Sequence, residues 1–325
     1  MSSAEPYSSL ASYGATRDLL AAFGIELKKT LGQNFLVNDG VIGRILELAA
    51  IDGQLVLEVG PGIGTLTVAL LKRACGVISI ERDPALEPVL AQTAGVNPHF
   101  RLLMGDAVKV TSSEVARAAA SLAQAGAAPV QPSGDHAMPT ALVANLPYAV
   151  AATVVLDYLQ RFSSLATATV MVQKEVADRM AASPGTKDYG AYTVQLQLIA
   201  RPAGRFEVAP GNFIPAPHVD SAVIRLERTV PRFPDGSVPD DTVLAAAALA
   251  AKAAFAQRRK TIRNSMRGYL APKGADLEAL DTALEQAGIA PTLRGERLSV
   301  SDYLLLGKEL VNNNVTPLGY LLPSA

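Results

Sequence analysis

Asn145-Leu146-Pro147-Tyr148 follows a short apolar run, Ala141–Ala144, that reads as a buried strand. A side-chain amide, a carbonyl, a proline and a phenol in that order suit work on the exocyclic amine of adenine. That nitrogen is a poor nucleophile because its lone pair is delocalised into the ring. Accepting hydrogen bonds from its hydrogens, with the Asn145 side-chain oxygen and the Leu146 carbonyl, favours a more pyramidal nitrogen whose lone pair is free to attack. Pro147 stiffens the turn and brings no amide hydrogen to compete. Tyr148 offers a ring on which a base can stack. The same four residues would also make an ordinary proline turn after a strand.

A second group of residues could hold the donor for such a reaction. Glu58-Val59-Gly60-Pro61-Gly62-Ile63-Gly64 follows the apolar run Leu55–Val59 and opens a helical pattern. Glycines there let the backbone approach a ligand, and a helix N-terminus adds its positive dipole end. The spacing is G-x-G-x-G, not the dinucleotide G-x-G-x-x-G. About 20 residues on, Glu81 ends a second strand, where an acid can accept hydrogen bonds from ribose hydroxyls. Asp106 ends a third strand after Gly105, placed either to meet an adenine amine or to cap the next helix. A sulfonium methyl donor suits the set: attack neutralises charge, needs no metal, and leaves the rate to positioning and electrostatics.

These residues need a scaffold that brings strand ends together, and the chain has one in outline. Its 325 residues, 49% of them hydrophobic, suffice for one large domain and a smaller one. Leu55–Val59, Val77–Ile80, Phe100–Met104, Ala141–Ala144 and Thr167–Val172 read as strands. Thr16–Gly24, Val41–Ala50, Thr65–Arg73, Val150–Leu159 and Lys174–Ala182 read as helices between or beside them. Val108–Ala127 reads as helix first and loop after, and Pro129–Pro139 as a surface insertion. The alternation predicts an α/β fold with a parallel, doubly wound sheet. Ser221–Leu226 alternates as a late, antiparallel strand would, Val230–Pro239 reads as a linker, and the rest is helix-rich, which puts a boundary near residue 235.

Composition narrows the classes further. Cys75 is the only cysteine, so no internal disulfide or multi-cysteine metal site is available, which fits a reducing compartment. The three histidines lack metal-ligand spacing, and no segment is long and apolar enough to span a bilayer. Met1–Leu10 has no apolar core, which argues against a signal peptide. The net charge is −1, unusual for a nucleic-acid binder, yet Lys252, Arg258, Arg259, Lys260, Arg263, Arg267 and Lys273 form a run without an acid.

At this point the chain resembles the ribosomal RNA small-subunit adenine dimethyltransferases. Leu31-Gly32-Gln33-Asn34-Phe35-Leu36, Glu58–Gly64, Asn145–Tyr148, Gln173–Val176, Phe213-Ile214-Pro215, Val219–Val223 and, most specifically, Phe255–Ser265 carry the likeness, which runs from about Lys28 to about Leu310. The resemblance implies a Rossmann-like class I methyltransferase sheet with a small helical C-terminal domain. Its parts would be an N-terminal extension (1–27), a cofactor domain (28–234) and an RNA-binding domain (235–325).

It also implies S-adenosyl-L-methionine as cofactor, and transfer of two methyl groups to each of two adjacent adenosines near the 3′ end of 16S ribosomal RNA. The RNA would lie in the small subunit or its assembly precursor, and the enzyme would be cytoplasmic and monomeric, with no metal and no membrane partner. Cofactor contacts carry over to Asn34, Leu36, Gly60, Glu81, Asp106 and Asn145. Phe213 would sandwich the target base with Tyr148, although by its own context it reads equally as core. Arg258, Arg259, Lys260 and Arg263 would contact phosphates, the last three from one face if the run is helical.

Three other readings share features with this one. A large-subunit ribosomal RNA methyltransferase of the antibiotic-resistance type has the same amine chemistry, and Phe255–Ser265 argues against it. A non-catalytic nucleic-acid-binding relative conflicts with the intact Asn145–Tyr148. A nicotinamide dehydrogenase conflicts with the glycine spacing.

Overall fold

The structure, a computed structural model, describes residues 5–25, 33–127 and 138–315. Leu31 and Gly32 of the N-terminal motif, and most of the Pro129–Pro139 insertion, lie outside the described residues. The chain divides into two compact units: Met1–Ala177 with Pro202–Arg228, and Asp178–Arg201 with Thr229–Ala325. A boundary drawn near 235 therefore leaves out the excursion at 178–201, whose residues belong to the second unit's core.

In chain order the first unit carries α1 (Tyr13–Ala22), β1 (Phe35–Leu36), α2 (Asp39–Ala49), β2 (Leu55–Val59), α3 (Thr65–Leu70), β3 (Gly76–Glu81), α4 (Glu87–Thr93), β4 (Phe100–Met104), α5 (Ser112–Gln124), β5 (Ala141–Asn145), α6 (Ala151–Arg161) and β6 (Thr167–Gln173). Then follow α7 (Lys174–Met180), α8 (Ala191–Gln197), which belongs to the second unit, β7 (Ala200–Val208), β8 (Phe213–Ile214) and β9 (Ser221–Arg228). Among the described residues, seven strands form one sheet in the order β4-β3-β2-β5-β6-β9-β7, and β1 pairs with β8.

Strands β2 to β6 pair in parallel, with Leu57 opposite Ile78 and Ala144 opposite Val170, and β9 runs antiparallel to β6. Parallel strands covered on both faces read as continuous apolar runs, and β2, β3 and most of β5 are buried throughout. The strand order reverses between β2 and β5, so the crevice beyond their carboxyl ends is where such a sheet binds ligands. The expected Rossmann-like α/β fold is the one observed.

Local differences have local causes. α1 starts at Tyr13, ahead of the expected Thr16, because the Ser12 hydroxyl accepts from the Ala15 N–H and caps the helix there. The 108–127 segment differs from expectation at its start, where a short loop precedes the helix, because Thr111 and Glu114 form a reciprocal capping box that starts α5 at Ser112. Asn145 is the last residue of β5, not the first of a turn.

The second unit adds α9 (Asp241–Phe255), α10 (Ile262–Leu270), α11 (Leu277–Gln286) and α12 (Val300–Asn312). Its alanine-rich α9 has a packing reason. A Cβ on Gly307 of α12 would lie 2.7 Å from the Ala247 nitrogen, so the two helices meet at a distance only small residues permit. Tyr189 and Tyr303 are buried beside them, their hydroxyls donating to the carbonyls of Leu298 (2.8 Å) and Gly295 (2.9 Å).

Candidate active site

A cavity of about 420 Å³ opens at the carboxyl ends of β2, β3, β4 and β5, within the range that holds small ligands. It brings together nine candidate residues far apart in sequence: Asn34, Leu36, Gly60, Glu81, Asp106, Asn145, Leu146, Pro147 and Tyr148.

The glycine loop forms its floor. Gly60, Gly62 and Gly64 have φ of +70°, +62° and +89°, the region that disfavours any side chain. At Gly62 a Cβ would also sit 3.0 Å from the Phe35 ring, so the loop's path excludes larger residues twice over. Glu81, buried at the end of β3, holds the loop. Its Oε2 accepts from the Gly62 N–H at 3.3 Å, and its Oε1 from the N–H groups of Arg82 and Asp83, both at 2.8 Å. Burial raises the Glu81 carboxyl above the ordinary carboxylate range, against the opposing pull of those three N–H groups.

Asp106 follows β4. Its Oδ1 accepts from the Val108 N–H at 3.1 Å, closing a tight turn, while α5 is capped by Thr111. The reading of Asp106 as the helix cap is thereby removed. The Arg82 guanidinium lies 3.9 Å from the other Asp106 oxygen and is largely exposed.

Asn145 ends β5 at the cavity wall. Its Nδ2 donates to the Asn34 main-chain carbonyl at 3.1 Å, and no described residue donates to its Oδ1. The Leu146 N–H donates to the Met171 carbonyl of β6 at 3.0 Å, which fixes the turn to the sheet. The Tyr148 hydroxyl shares a 2.7 Å hydrogen bond with the Ser221 hydroxyl, and burial raises the phenol above its ordinary range.

Phe213 is not brought to this cavity. It is 4% exposed, sits opposite Leu36 in the β1–β8 pair, and packs in the apolar core with Met171 and Val223. Its own context as a core residue describes its position here.

Sequence reasoning missed three contributors. Glu58, fully buried under the loop, accepts from the hydroxyls of Thr67 (2.8 Å) and Ser79 (2.6 Å), and burial pushes its carboxyl up to about 7. The signal was an acid at the fourth place of an apolar strand. Gln33 donates to Asp83 at 3.0 Å, tying the entry segment to the end of β3. Ser221 stood inside a matched motif with no role given to it.

The four basic candidates lie in the second unit. Arg258 to Lys260 occupy the turn between α9 and α10, so the expected helical face with Arg263 does not form. Arg258 pairs with Glu296 at 3.2 Å and donates to the Lys187 carbonyl. Arg263 and Arg267 both grip Asp281, at 2.5 Å and 2.8 Å. Arg259 and Lys260 are exposed, with no side-chain partner among the described residues.

Comparison with known proteins gives a family. The family model described as ribosomal RNA adenine dimethylase matches residues 24–310. The ribosomal RNA small subunit methyltransferase A of Clostridium perfringens (strain SM101 / Type A) is 39% identical over 289 residues, covering 89% of this chain and 92% of the relative. Among solved structures, a dimethyladenosine transferase from Plasmodium falciparum aligns with a TM-score of 0.67 at 22% identity, over 87% of this chain and 99% of that one. The 23S rRNA methyltransferase ErmE aligns with a TM-score of 0.58 at 26% identity, over 86% and 100%.

Proposed function

The chain belongs to the ribosomal RNA adenine dimethylase family and is a ribosomal RNA adenine methyltransferase, and from that premise we propose its substrate and the work of its residues. The proposed reaction dimethylates the N6 amine of two adjacent adenosines near the 3′ end of 16S ribosomal RNA, in the small subunit or its precursor. The proposed enzyme is a cytoplasmic monomer that uses S-adenosyl-L-methionine and no metal.

The cavity fits that cofactor on its own features. The positive-φ glycines leave backbone exposed to a ligand, two strand-end carboxylates face the same space, and Thr65 lines it with a buried hydroxyl that has no described partner. When bound, S-adenosyl-L-methionine supplies a methyl group on a positively charged sulfur. Glu81 is assigned the ribose hydroxyls, Asp106 the adenine amine, and Gly60, Asn34 and Leu36 the walls around them.

One observation carries the reading: Asn145 is tethered through its nitrogen, so its oxygen is the end left to accept from a target amine. That acceptor draws the amine hydrogens toward the protein and leaves the nitrogen lone pair exposed. Tyr148 gives the base a stacking surface. The turn carrying both residues is fixed to β6, so little reorganisation is needed during transfer.

The test is methyl transfer from labelled cofactor to small and large ribosomal subunits that lack the modification, followed by mapping of the label. Label on two neighbouring adenosines near the 3′ end of the small-subunit RNA is the expected result. Label confined to the large-subunit RNA, or none on either, overturns it.

A further inference from the structure

The bond between Tyr148 and Ser221 joins two parts of the first unit that are 73 residues apart. Ser221 opens β9, is completely buried, and stands opposite Gln173 in the β6–β9 pair. Strand β6 lies between β9 and β5, the strand from which the Asn145–Tyr148 turn emerges. The serine therefore reaches past the end of β6 to hold the tyrosine by the far end of its ring. Its Oγ has no other partner among the described residues.

We propose that Ser221 is a positioning residue for the methyl transfer: through the phenol hydroxyl it fixes where the far end of the Tyr148 ring lies, and with it the ring's long axis. This rests on the stacking role given to Tyr148 above. A ring attached only at Cβ can swing about two torsions, and a base stacked on it would swing with it. A hydrogen bond at the opposite end, made to a side chain on a strand flanked on both sides, stops the swing about the first of these torsions before substrate arrives. The arrangement also gives the tyrosine hydroxyl its purpose. It is engaged with Ser221 and its phenol is held above the ordinary range by burial, so it serves as an anchor and takes no part in moving the amine proton.

The bond makes a sharp demand on paired substitutions. Ser221→Ala and Tyr148→Phe each break the same contact, so their effects must overlap. The experiment measures kcat, KM for the ribosomal particle, cofactor affinity by equilibrium binding, and melting temperature for both single variants, the double variant and Tyr148→Ala. Each single variant is expected to lose about tenfold in kcat, with KM and cofactor affinity within about twofold of the parent. The double variant should lose no more than either single one, and Ser221→Thr, which keeps the hydroxyl, should recover most of the rate.

Losses that multiply in the double variant would overturn the proposal, as would an unchanged kcat in Tyr148→Phe. Should Ser221→Ala fail to fold, Tyr148→Phe alone decides, because it removes the bond without touching the buried strand. Tyr148→Ala separates the two levels. If it is fully active, the stacking role itself fails; if it is inactive while Tyr148→Phe and Ser221→Ala are normal, only the anchoring role fails.

Discussion

The side-chain nitrogen of Asn145 and the main-chain oxygen of Asn34 are 3.1 Å apart, a hydrogen bond across 111 residues. A primary amide offers donors at one end and acceptors at the other. Spending the donor end on Asn34 turns the acceptor end away from it, so the backbone of one segment sets the polarity of a side chain on another.

This relationship predicts how Asn145 fails. In Asn145→Ala the acceptor is gone, and transfer should fall by about 10²–10³-fold while cofactor affinity falls much less. In Asn145→Asp the tether becomes a carboxylate facing a carbonyl, and the loss should be as large despite the near-identical shape. Single-turnover rates with labelled cofactor check both, and near-parental turnover in either variant would sink the assignment.

Glu81 should show a double penalty. Substitution by Ala leaves the N–H groups of Gly62, Arg82 and Asp83 without their acceptor, at about 1–3 kcal/mol for each one that stays buried and unpaired. The melting temperature and the cofactor affinity should therefore fall together. A variant that loses affinity but melts normally would show that the carboxylate does not hold the loop.

Glu58 predicts a pH dependence of folding. Its folded-state carboxyl is raised to about 7 from an ordinary 4.5, chiefly by burial, so the folded chain holds a proton that the unfolded chain releases. Below about pH 4.5 both states are protonated and nothing is lost. Between about pH 4.5 and 7 the unfolded chain releases this proton while the folded chain keeps it, so stability falls by a total on the order of 3 kcal/mol, all of it lost once pH has risen through the folded value of about 7. Glu58→Gln mimics the protonated form and keeps an oxygen for Thr67 and Ser79. It should match the parent near pH 4 and exceed it near pH 8 in urea unfolding; equal stability at both values would refute the shift.

The second unit predicts an unequal contribution from its basic residues. Arg259 and Lys260 are exposed without side-chain partners among the described residues, whereas Arg263 is occupied by Asp281. If the turn contacts phosphates, replacing Arg259 and Lys260 with Ala should lower the slope of log affinity against log salt by about 0.7–0.9 for each. Arg263→Ala should leave the slope unchanged. An equal drop for Arg263 would mean that Asp281 releases it on binding.

The strands that carry the site were readable because buried parallel strands are uninterrupted apolar runs, and their ends were marked by Glu81, Gly105-Asp106 and Asn145. What stayed hidden depended on pairings that no spacing encodes. Strand β7 holds Pro202 and Gly204, which argue against a strand, and it exists because an edge position tolerates a residue with no N–H. Arg263 looked like its neighbours until Asp281, 18 residues on, was seen to claim it. Ser221 looked like any small residue at a strand start. The start of α5, by contrast, was there to be read in Thr111 and Glu114, whose capping-box spacing stands in the sequence, although the helix was expected to begin at Val108.

The pairing of β1 with β8 joins the segment that supplies the Asn34 carbonyl to residues 213 and 214, and the anchor of Tyr148 lies beyond that at 221. A nascent chain that has emerged only as far as β6 already possesses its glycine loop, both strand-end acids and the whole Asn145–Tyr148 turn. It still lacks the late strands that set that turn in place. Competence to modify RNA is therefore expected no earlier than the synthesis of β9, and a translation product that ends at β6 should carry the glycine loop and the Asn145–Tyr148 turn and yet be inert.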